Sequence, residues 1–285
     1  MKKISVVLAT RNEENNLGRC LEAVKKLADE IIVVDEFSTD KTQGIARSYG
    51  AKVFTEPHHE NFHITKQKAI ERATGEWILQ LDADEVVTPE LANEIKEVTK
   101  MSNEGIRRRE IPEILLRHQR VLEKRDGSVG KQTGEVVAFF IPRKNIFLGK
   151  PLIHAGVYPD PAIRLIKKGK AHLPARSVHE IMEVDGEVAW LFNAMLHYDS
   201  PTLTRYLDRL NRYTDLHAKS LKESKVALGN LGLINYSFLK PARIFCKMYF
   251  VHAGFKDGMR GFVWCLFSCL HYPIAYFKYY SKEKL

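Results

Sequence analysis

Cysteine is scarce in this chain. Four residues, Cys20, Cys246, Cys265 and Cys269, are spread over 285 positions, and no two form a CxxC pair. That argues against a metal knuckle or a disulfide framework. They read as small buried hydrophobes of a reducing compartment. GxGxxG and GxxxxGK[ST] are both missing, which excludes a dinucleotide fingerprint and a P-loop. The start, "MKKISVVLAT", has too short an apolar run for a signal peptide and passes straight into "RNEENN". It is expected to be a first strand. Gly261 to Phe277 is uncharged but contains His271 and Pro273 and falls short of the roughly 20 residues a membrane span needs.

What is present suffices for a packed core. Hydrophobic residues make up 45% of the chain and charged residues 28%, as in ordinary globular proteins. The net charge of +9 suits nucleic acid, an anionic membrane or a phosphorylated substrate, and does not choose among them. Nothing but charge suggests nucleic acid, and no nucleic-acid partner is expected.

The first hundred residues alternate between two periodicities. Ile4 to Ala9, "IIVV" (31–34), "AKVF" (51–54) and "WILQL" (77–81) read as strands. Between them, Leu17, Leu21, Val24 and Leu27 recur at helical spacing, Ile45 to Tyr49 marks a short helix, and 64–73 is helical. Thr88-Pro89 is a helix start, with Thr as cap and Pro in the first turn. Such alternation predicts βαβ units: an α/β fold, a mostly parallel sheet flanked by helices. Ligands of such sheets bind beyond the carboxyl ends of the strands. The polar segments "TRNEE", "DEFSTD" and "DADE" all fall at that rim.

Further on, "EGIRRREIPEILLRHQRVLEKRDGS" is charge-rich and helical from about Pro112 to Lys124, with Arg107 to Arg109 on a solvated face. "EVVAFFI" (135–141) and "AIRLIKK" (162–168) are strands, and Ser200-Pro201 opens a long amphipathic helix with Leu203, Leu207, Leu210 and Leu221. From about Leu239 the chain becomes aromatic and basic, with eight lysines and arginines against two acids. That pattern predicts an amphipathic helical segment at an anionic membrane surface. The expected division is a catalytic domain over 1–235 and a membrane-associating segment over 236–285.

The acids of "LQLDADEVVTPEL" need a reason. Asp82 follows Leu81 directly and should sit at the sheet edge, with Asp84 two residues on. Two carboxylates there suit a divalent cation that neutralises a bound diphosphate. Glu85 and Glu90 read instead as charges favoured by the next helix's N-terminus. Asp35 ends the second strand, a place to grip a ribose hydroxyl or a base N–H.

Taken in order, "SVVLATRNEENNLGRCLEAV", "IIVVDEFSTDKTQGIARSYGAKVF" and "GEWILQLDADEVVTPEL" resemble family 2 glycosyltransferases of the GT-A fold. "IPRKNIFLGKPLIHAG", "YPDPAIRLIKKGKAHL", "SVHE" and "KPARIFCKMYFVHAGFKDGMRGF" are similar to the bacterial lipopolysaccharide-core glucosyltransferases and related envelope enzymes. The resemblance implies an inverting, metal-dependent hexosyltransferase acting on a lipid-linked or envelope glycan at the cytoplasmic face of the cell membrane. It implies Mg²⁺ or Mn²⁺ as cofactor and a nucleotide-diphosphate sugar, a UDP-sugar, as donor. Thr10, Arg11 and Glu13 match the first nucleotide-contacting segment, and Asp35 the acid at the base. Lys66 stands where many members have arginine. Asp82 matches the aspartate near ribose and metal, and Asp84 the direct metal ligand. The familiar "DDGS" is here "DEFS", so Glu36 and Phe37 depart from the pattern.

Inverting transfer needs a general base for the acceptor hydroxyl. Glu180 in "SVHE" is the candidate, His179 beside it a diphosphate or metal contact, and Arg164 a guanidinium for the diphosphate or acceptor. His154 and Asp160 are weaker candidates in the same block. The rival readings are a polyprenyl-phosphate sugar synthase, whose phosphate acceptor needs no base, and a non-catalytic membrane-binding scaffold. A nucleotidyltransferase would show a "GGxGTR" loop, which "ATRNEE" is not.

Overall fold

The structure is a computed structural model and describes residues 3–127, 129–175 and 181–284. The chain divides into two compact units, Met1–Arg143 with Pro159–His197, and Lys144–Tyr158 with Tyr198–Leu285.

The first unit begins with the expected alternation: β1 (Ile4–Thr10), α1 (Leu17–Val24), β2 (Glu30–Asp35), α2 (Thr42–Ser48), β3 (Lys52–Thr55), α3 (Phe62–Arg72) and β4 (Trp77–Leu81). A two-residue strand, β5 (Glu85–Val86), precedes α4 (Pro89–Val98), which Thr88 caps through its hydroxyl with Pro89 in the first turn. Then come α5 (Asn103–Arg107), α6 (Glu113–Asp126) and β6 (Val136–Ile141). β7 (Arg143–Phe147) and β8 (Lys150–Pro151) form an antiparallel hairpin. Four more strands return to the first unit: β9 (Ala162–Lys167), β10 (Ala171–His172), β11 (Glu183–Val184) and β12 (Glu187–Trp190). β13 (Met195–Ser200) pairs with β5 through His197 and Leu196.

The main sheet runs β12-β6-β9-β4-β1-β2-β3. Its pairings are parallel except where β9 lies antiparallel between β4 and β6. Both faces are covered, so its inner strands β1, β2, β4 and β6 are buried almost throughout rather than alternating. Val6 and Leu8 pack on α1 and α4 through Leu17, Leu21, Leu91 and Ile95, while Val7 and Ile78 face α3 and α6 through Ala69, Ile70, Leu115 and Leu122. Gly75 marks a close approach: a Cβ there would meet the Lys3 carbonyl oxygen at 2.8 Å and the Ser5 amide at 2.9 Å.

Three expectations change in detail. The long helix, α7 (Leu203–Glu223), is capped by Thr202 rather than Ser200, because the Thr202 hydroxyl accepts the Arg205 amide. On it Leu210 and Leu221 are buried while Leu203 and Leu207 stay exposed. Arg109 is not on a solvated face. It reaches the Glu94 carboxylate and the Trp190 carbonyl and lies 4.0 Å over the Phe192 ring. Of the cysteines, Cys20, Cys265 and Cys269 are buried as expected, and Cys246 is exposed.

In the second unit α7 is followed by α8 (Asn230–Ile234), a π-helical turn over Asn235–Leu239, α9 (Lys240–Cys246), a second π-helical turn over Lys247–Val251, a 3₁₀ turn over Gly254–Asp257 and α10 (Gly258–Lys284). Two apolar clusters hold it. Phe147, Leu152, Tyr206 and Leu210 pack with Trp264 and Phe267, and Ala218, Leu221 and Tyr236 pack with Ala275, Tyr276 and Tyr279. Among the described residues, no helix is long and apolar enough to cross a membrane.

Candidate active site

Strand register brings the sequence-predicted acids to one edge of the first unit. β1 pairs with β2 so that Thr10 opposes Asp35, and with β4 so that Leu8 opposes Leu81. The ends of β2, β1 and β4 therefore lie side by side. Adjacent strands are about 4.8 Å apart, so the Asp35 and Asp82 ends are separated by about 10 Å across the central strand.

At the β2 end Asp35 is fully buried and richly bonded. It accepts from the Thr10 hydroxyl (3.0 Å), the Ser38 amide (2.8 Å) and hydroxyl (2.6 Å), and Gln43 Nε2 (2.7 Å). The departures from "DDGS" now have structural roles. Glu36 turns inward to accept from the Thr65 hydroxyl on α3, with His58 Nδ1 2.6 Å from its other oxygen. Phe37 takes a left-handed conformation (φ 48°) and leaves its ring exposed. Glu13 is fixed by its amide, which donates to the Thr42 hydroxyl at 2.7 Å, and Arg11 beside it is exposed.

The β4 end is an ionic cluster. Asp82 Oδ1 pairs with Lys66 Nζ at 2.5 Å and Oδ2 with Arg164 Nη2 at 2.6 Å. Arg164 also donates from Nη2 (2.7 Å) and Nε (3.2 Å) to Glu85 Oε1, and from Nη1 to Gln80 Oε1 (2.5 Å). Glu85 Oε2 accepts the Asp82 amide at 3.0 Å, and Arg143 Nη1 approaches Oε1 at 3.3 Å. Glu85 is 0% exposed. Its reading as a solvated helix-end charge is therefore wrong: two guanidiniums neutralise it inside the protein. Burial pushes the Asp82 and Glu85 carboxyls up, but Arg164 together with Lys66 at Asp82 and Arg143 at both outweighs it and holds both below the usual carboxylate range. Burial pulls the Lys66 ammonium down, against the pull of Asp82.

Asp84 lies beside a residue of β13. Its Oδ2 lies 3.7 Å from Nε2 of His197 on β13. Burial, with the Arg143 charge, pushes His197 down to about 4, so its imidazole is neutral at pH 7 and a competent ligand. A carboxylate beside a neutral imidazole suits a divalent cation whose remaining ligands are phosphate oxygens and water. The residues present thus fit Mg²⁺ or Mn²⁺. Asp199, in the second unit, is ion-paired with Arg209. Both oxygens of Asp82 already carry a cation.

A cavity of about 190 Å³ opens beside Asp82's partners, lined by His63, Lys66, Gln80, Arg125, Phe140 and Arg164 among others. Its described lining includes four basic side chains and no carboxylate.

His179 and Glu180 lie outside the described residues. Asp160 joins the site through Arg143 Nη2 at 3.0 Å. His154 belongs to the second unit, where its Nδ1 is 2.9 Å from Asp257. Sequence reasoning did not single out Arg143, Gln80 and His197. Arg143 sits in "IPRKNIFLGKPLIHAG", which carries the resemblance without marking the arginine, His197 sits in "MLHYDS", which carries no motif, and the only signal for Gln80 was a polar residue in the middle of a buried strand.

Residues 5–115, which contain Glu13, Asp35, Asp82, Asp84 and Glu85, match the family model described as glycosyl transferase family 2. An uncharacterized glycosyltransferase of Rickettsia typhi is 28% identical over 272 residues, covering 92% of this chain and 82% of the relative. The lipopolysaccharide core biosynthesis glycosyltransferase LpsC of Rhizobium meliloti is 24% identical over 289 residues, 99% of this chain and 93% of the relative. Among solved structures, the mannosyltransferase PcManGT of Pyrobaculum calidifontis, in complex with GDP-Man and Mn²⁺, is similar with a TM-score of 0.47 and 14% identity, covering 99% of this chain and 88% of that one. A mostly parallel sheet with acids along its carboxyl edge carries, over residues 5–115, a match to glycosyl transferase family 2, and along nearly its whole length the chain is similar to glycosyltransferases, one of them an enzyme of lipopolysaccharide core biosynthesis.

Proposed function

We propose that the chain transfers a sugar, with inversion at the anomeric carbon, from a nucleotide-diphosphate sugar to a hydroxyl of a lipid-linked or envelope glycan. One observation carries the reading: Asp82, paired with Lys66 and Arg164, and Asp84, beside His197, follow the end of β4, close to the β2 end that carries Asp35. Thr10, Arg11, Glu13 and Asp35 take the nucleoside, and a UDP-sugar is the donor the resemblance favours. Asp82, fixed by Lys66 and Arg164, meets the ribose, and its two cations give the diphosphate region a positive wall. Asp84, beside His197, would hold the divalent metal, with Asp82 and His179 as the further ligands the resemblance suggests. Mg²⁺ or Mn²⁺ bound there supplies charge neutralisation to the departing diphosphate. Glu180 removes the proton from the acceptor hydroxyl as its oxygen bonds to the anomeric carbon and the sugar–phosphate bond breaks, its electron pair leaving with the nucleoside diphosphate.

A thermal-shift panel of nucleoside diphosphates with Mn²⁺ tests the donor side, since a ligand that binds only the folded chain raises Tm by mass action. Transfer assays with Glu180→Gln test the acceptor side. The expected result is donor-dependent stabilisation like wild type with transfer lost. Wild-type transfer by Glu180→Gln would sink the hydroxyl-acceptor reading and leave a phosphate acceptor, which needs no base. Absence of any nucleotide shift would sink the donor reading.

A further inference from the structure

The second unit carries an apolar surface that the transfer chemistry does not use. Phe245, Tyr249, Phe250, Phe255 and Phe262 form one chain of ring contacts, with centroids between 5.2 and 6.2 Å apart. Phe250 is 61% exposed, Val251 75% and Met259 74%, and Phe255 and Phe262 are also exposed. The same helical run begins with exposed Leu231, Phe238 and Leu239. Soluble surfaces rarely leave such a contiguous patch in water without a partner.

The charges in this stretch have one sign. Between residues 231 and 262 stand Lys240, Arg243, Lys247, Lys256 and Arg260 against a single acid, Asp257. That acid is turned inward. Its carboxylate is 8% exposed, accepts the amides of Ile153 (3.1 Å) and His154 (2.8 Å), and pairs with the His154 ring. Arg243, Lys247 and Lys256 are exposed. An apolar aromatic face bordered by cations, on helices none of which crosses a membrane, has the chemistry of an interfacial element. Rings suit the acyl boundary and cations the headgroup phosphates. A second copy of this chain would set cations against cations.

The face is not the whole tail. α10 buries Cys265, Cys269, Ala275, Tyr276 and Tyr279 within the second unit. Its later turns are core on this side, while Phe277 and Tyr280 stay exposed on the other positions of the same turns.

We infer that residues 231–262 form a monotopic docking surface for an anionic lipid bilayer, with Phe250, Val251, Phe255 and Met259 entering the interface. The inference stands without the transfer reading, though a lipid-linked acceptor would explain why the surface exists.

Co-sedimentation of the full chain with phosphatidylglycerol–phosphatidylethanolamine vesicles, and with phosphatidylcholine vesicles, tests it. The wild type is expected to bind the anionic vesicles at low salt and to dissociate at high salt. Each cation near the surface contributes about 1 kcal/mol, about fivefold in partitioning. Arg243→Gln with Lys247→Gln and Lys256→Gln should therefore weaken binding roughly 100-fold. Phe250→Ser with Val251→Ser and Phe255→Ser should abolish binding while leaving Tm close to wild type, since these side chains are exposed. Ile114→Ser with Val121→Ser, exposed on α6, is the control and should bind like wild type. Equal binding by either surface variant overturns the proposal, as does equal binding to phosphatidylcholine. A lipid-free dimer in sedimentation velocity that the apolar variant dissolves also overturns it, because a second copy then covers the face. Donor hydrolysis measured without lipid reports on the transfer reading separately.

Discussion

Replacing Arg164 with methionine is the sharpest test of the ionic cluster. Arg164 is the only described residue bonded at once to Asp82, Glu85 and Gln80. Its side chain is 10% exposed and that of Glu85 is 0% exposed, so water cannot replace the guanidinium at Glu85. Breaking a buried ion pair by removing one partner costs about 3–5 kcal/mol, because the survivor stays charged and buried. Asp82 keeps Lys66 at 2.5 Å and Glu85 keeps Arg143 at 3.3 Å, which places the cost near the lower end. About 3 kcal/mol in a unit of this size lowers Tm by roughly 6–12 °C. Calorimetry measures the shift. Adding Glu85→Leu should recover much of it, since an apolar pair in place of a buried ion pair is often neutral. The pH dependence follows from the sign of the shifts. Folded Asp82 and Glu85 titrate below their ordinary values of 3.8 and 4.5, so their stabilisation is present above those values and lost as pH falls. The gap between wild type and Arg164→Met should be widest at neutral pH and close below about pH 4. A Tm change under about 2 °C at neutral pH, or a double variant no more stable than the single, would refute the reasoning.

Three further outcomes are expected. Asp84→Ala should lose the Mn²⁺-dependent part of the nucleoside-diphosphate thermal shift and of donor turnover; a full metal response would remove Asp84 from the site. Gly75→Ala should cost about 1–3 kcal/mol by denaturant titration, because its Cβ would meet backbone atoms of Lys3 and Ser5 that cannot swing aside; an unchanged midpoint would contradict the close approach. Glu30 is raised by burial, but bonds from Ser5 and Thr74, with Lys52, win and pull it down to about 2. Its stabilisation is full above 4.5 and lost between 4.5 and 2, so Glu30→Gln should flatten acid unfolding in that window by about 1–2 kcal/mol after solvent screening. Identical acid-unfolding curves would show that the bonds do not hold in solution.

Local pattern explains what could be read in advance. α4 begins at Pro89 behind the Thr88 cap as expected, and β4 covers the same residues that "WILQL" suggested, because caps and apolar runs are properties of neighbouring residues. Glu85 was misread for the same reason. Its neighbours in sequence point to a helix end, whereas its partners Arg143 and Arg164 lie 58 and 79 residues away. Arg109 failed likewise: a run of three arginines reads as solvated, and only the fold brings Glu94 and Trp190 to it.

By itself the sequence determined the βαβ order, the edge at which polar loops gather, and the identity of Asp35, Asp82 and Asp84 as the acids to watch. Those follow from side-chain periodicity and from where apolar runs stop, which a linear chain states directly. Tertiary structure alone decided that Glu85 and Arg164 form the buried frame around Asp82, that His197 stands beside Asp84, and that the tail divides into a core helix and an exposed basic face. Charges separated by tens of residues find one another only after strands pair, and whether an aromatic residue is core or surface depends on what packs over it.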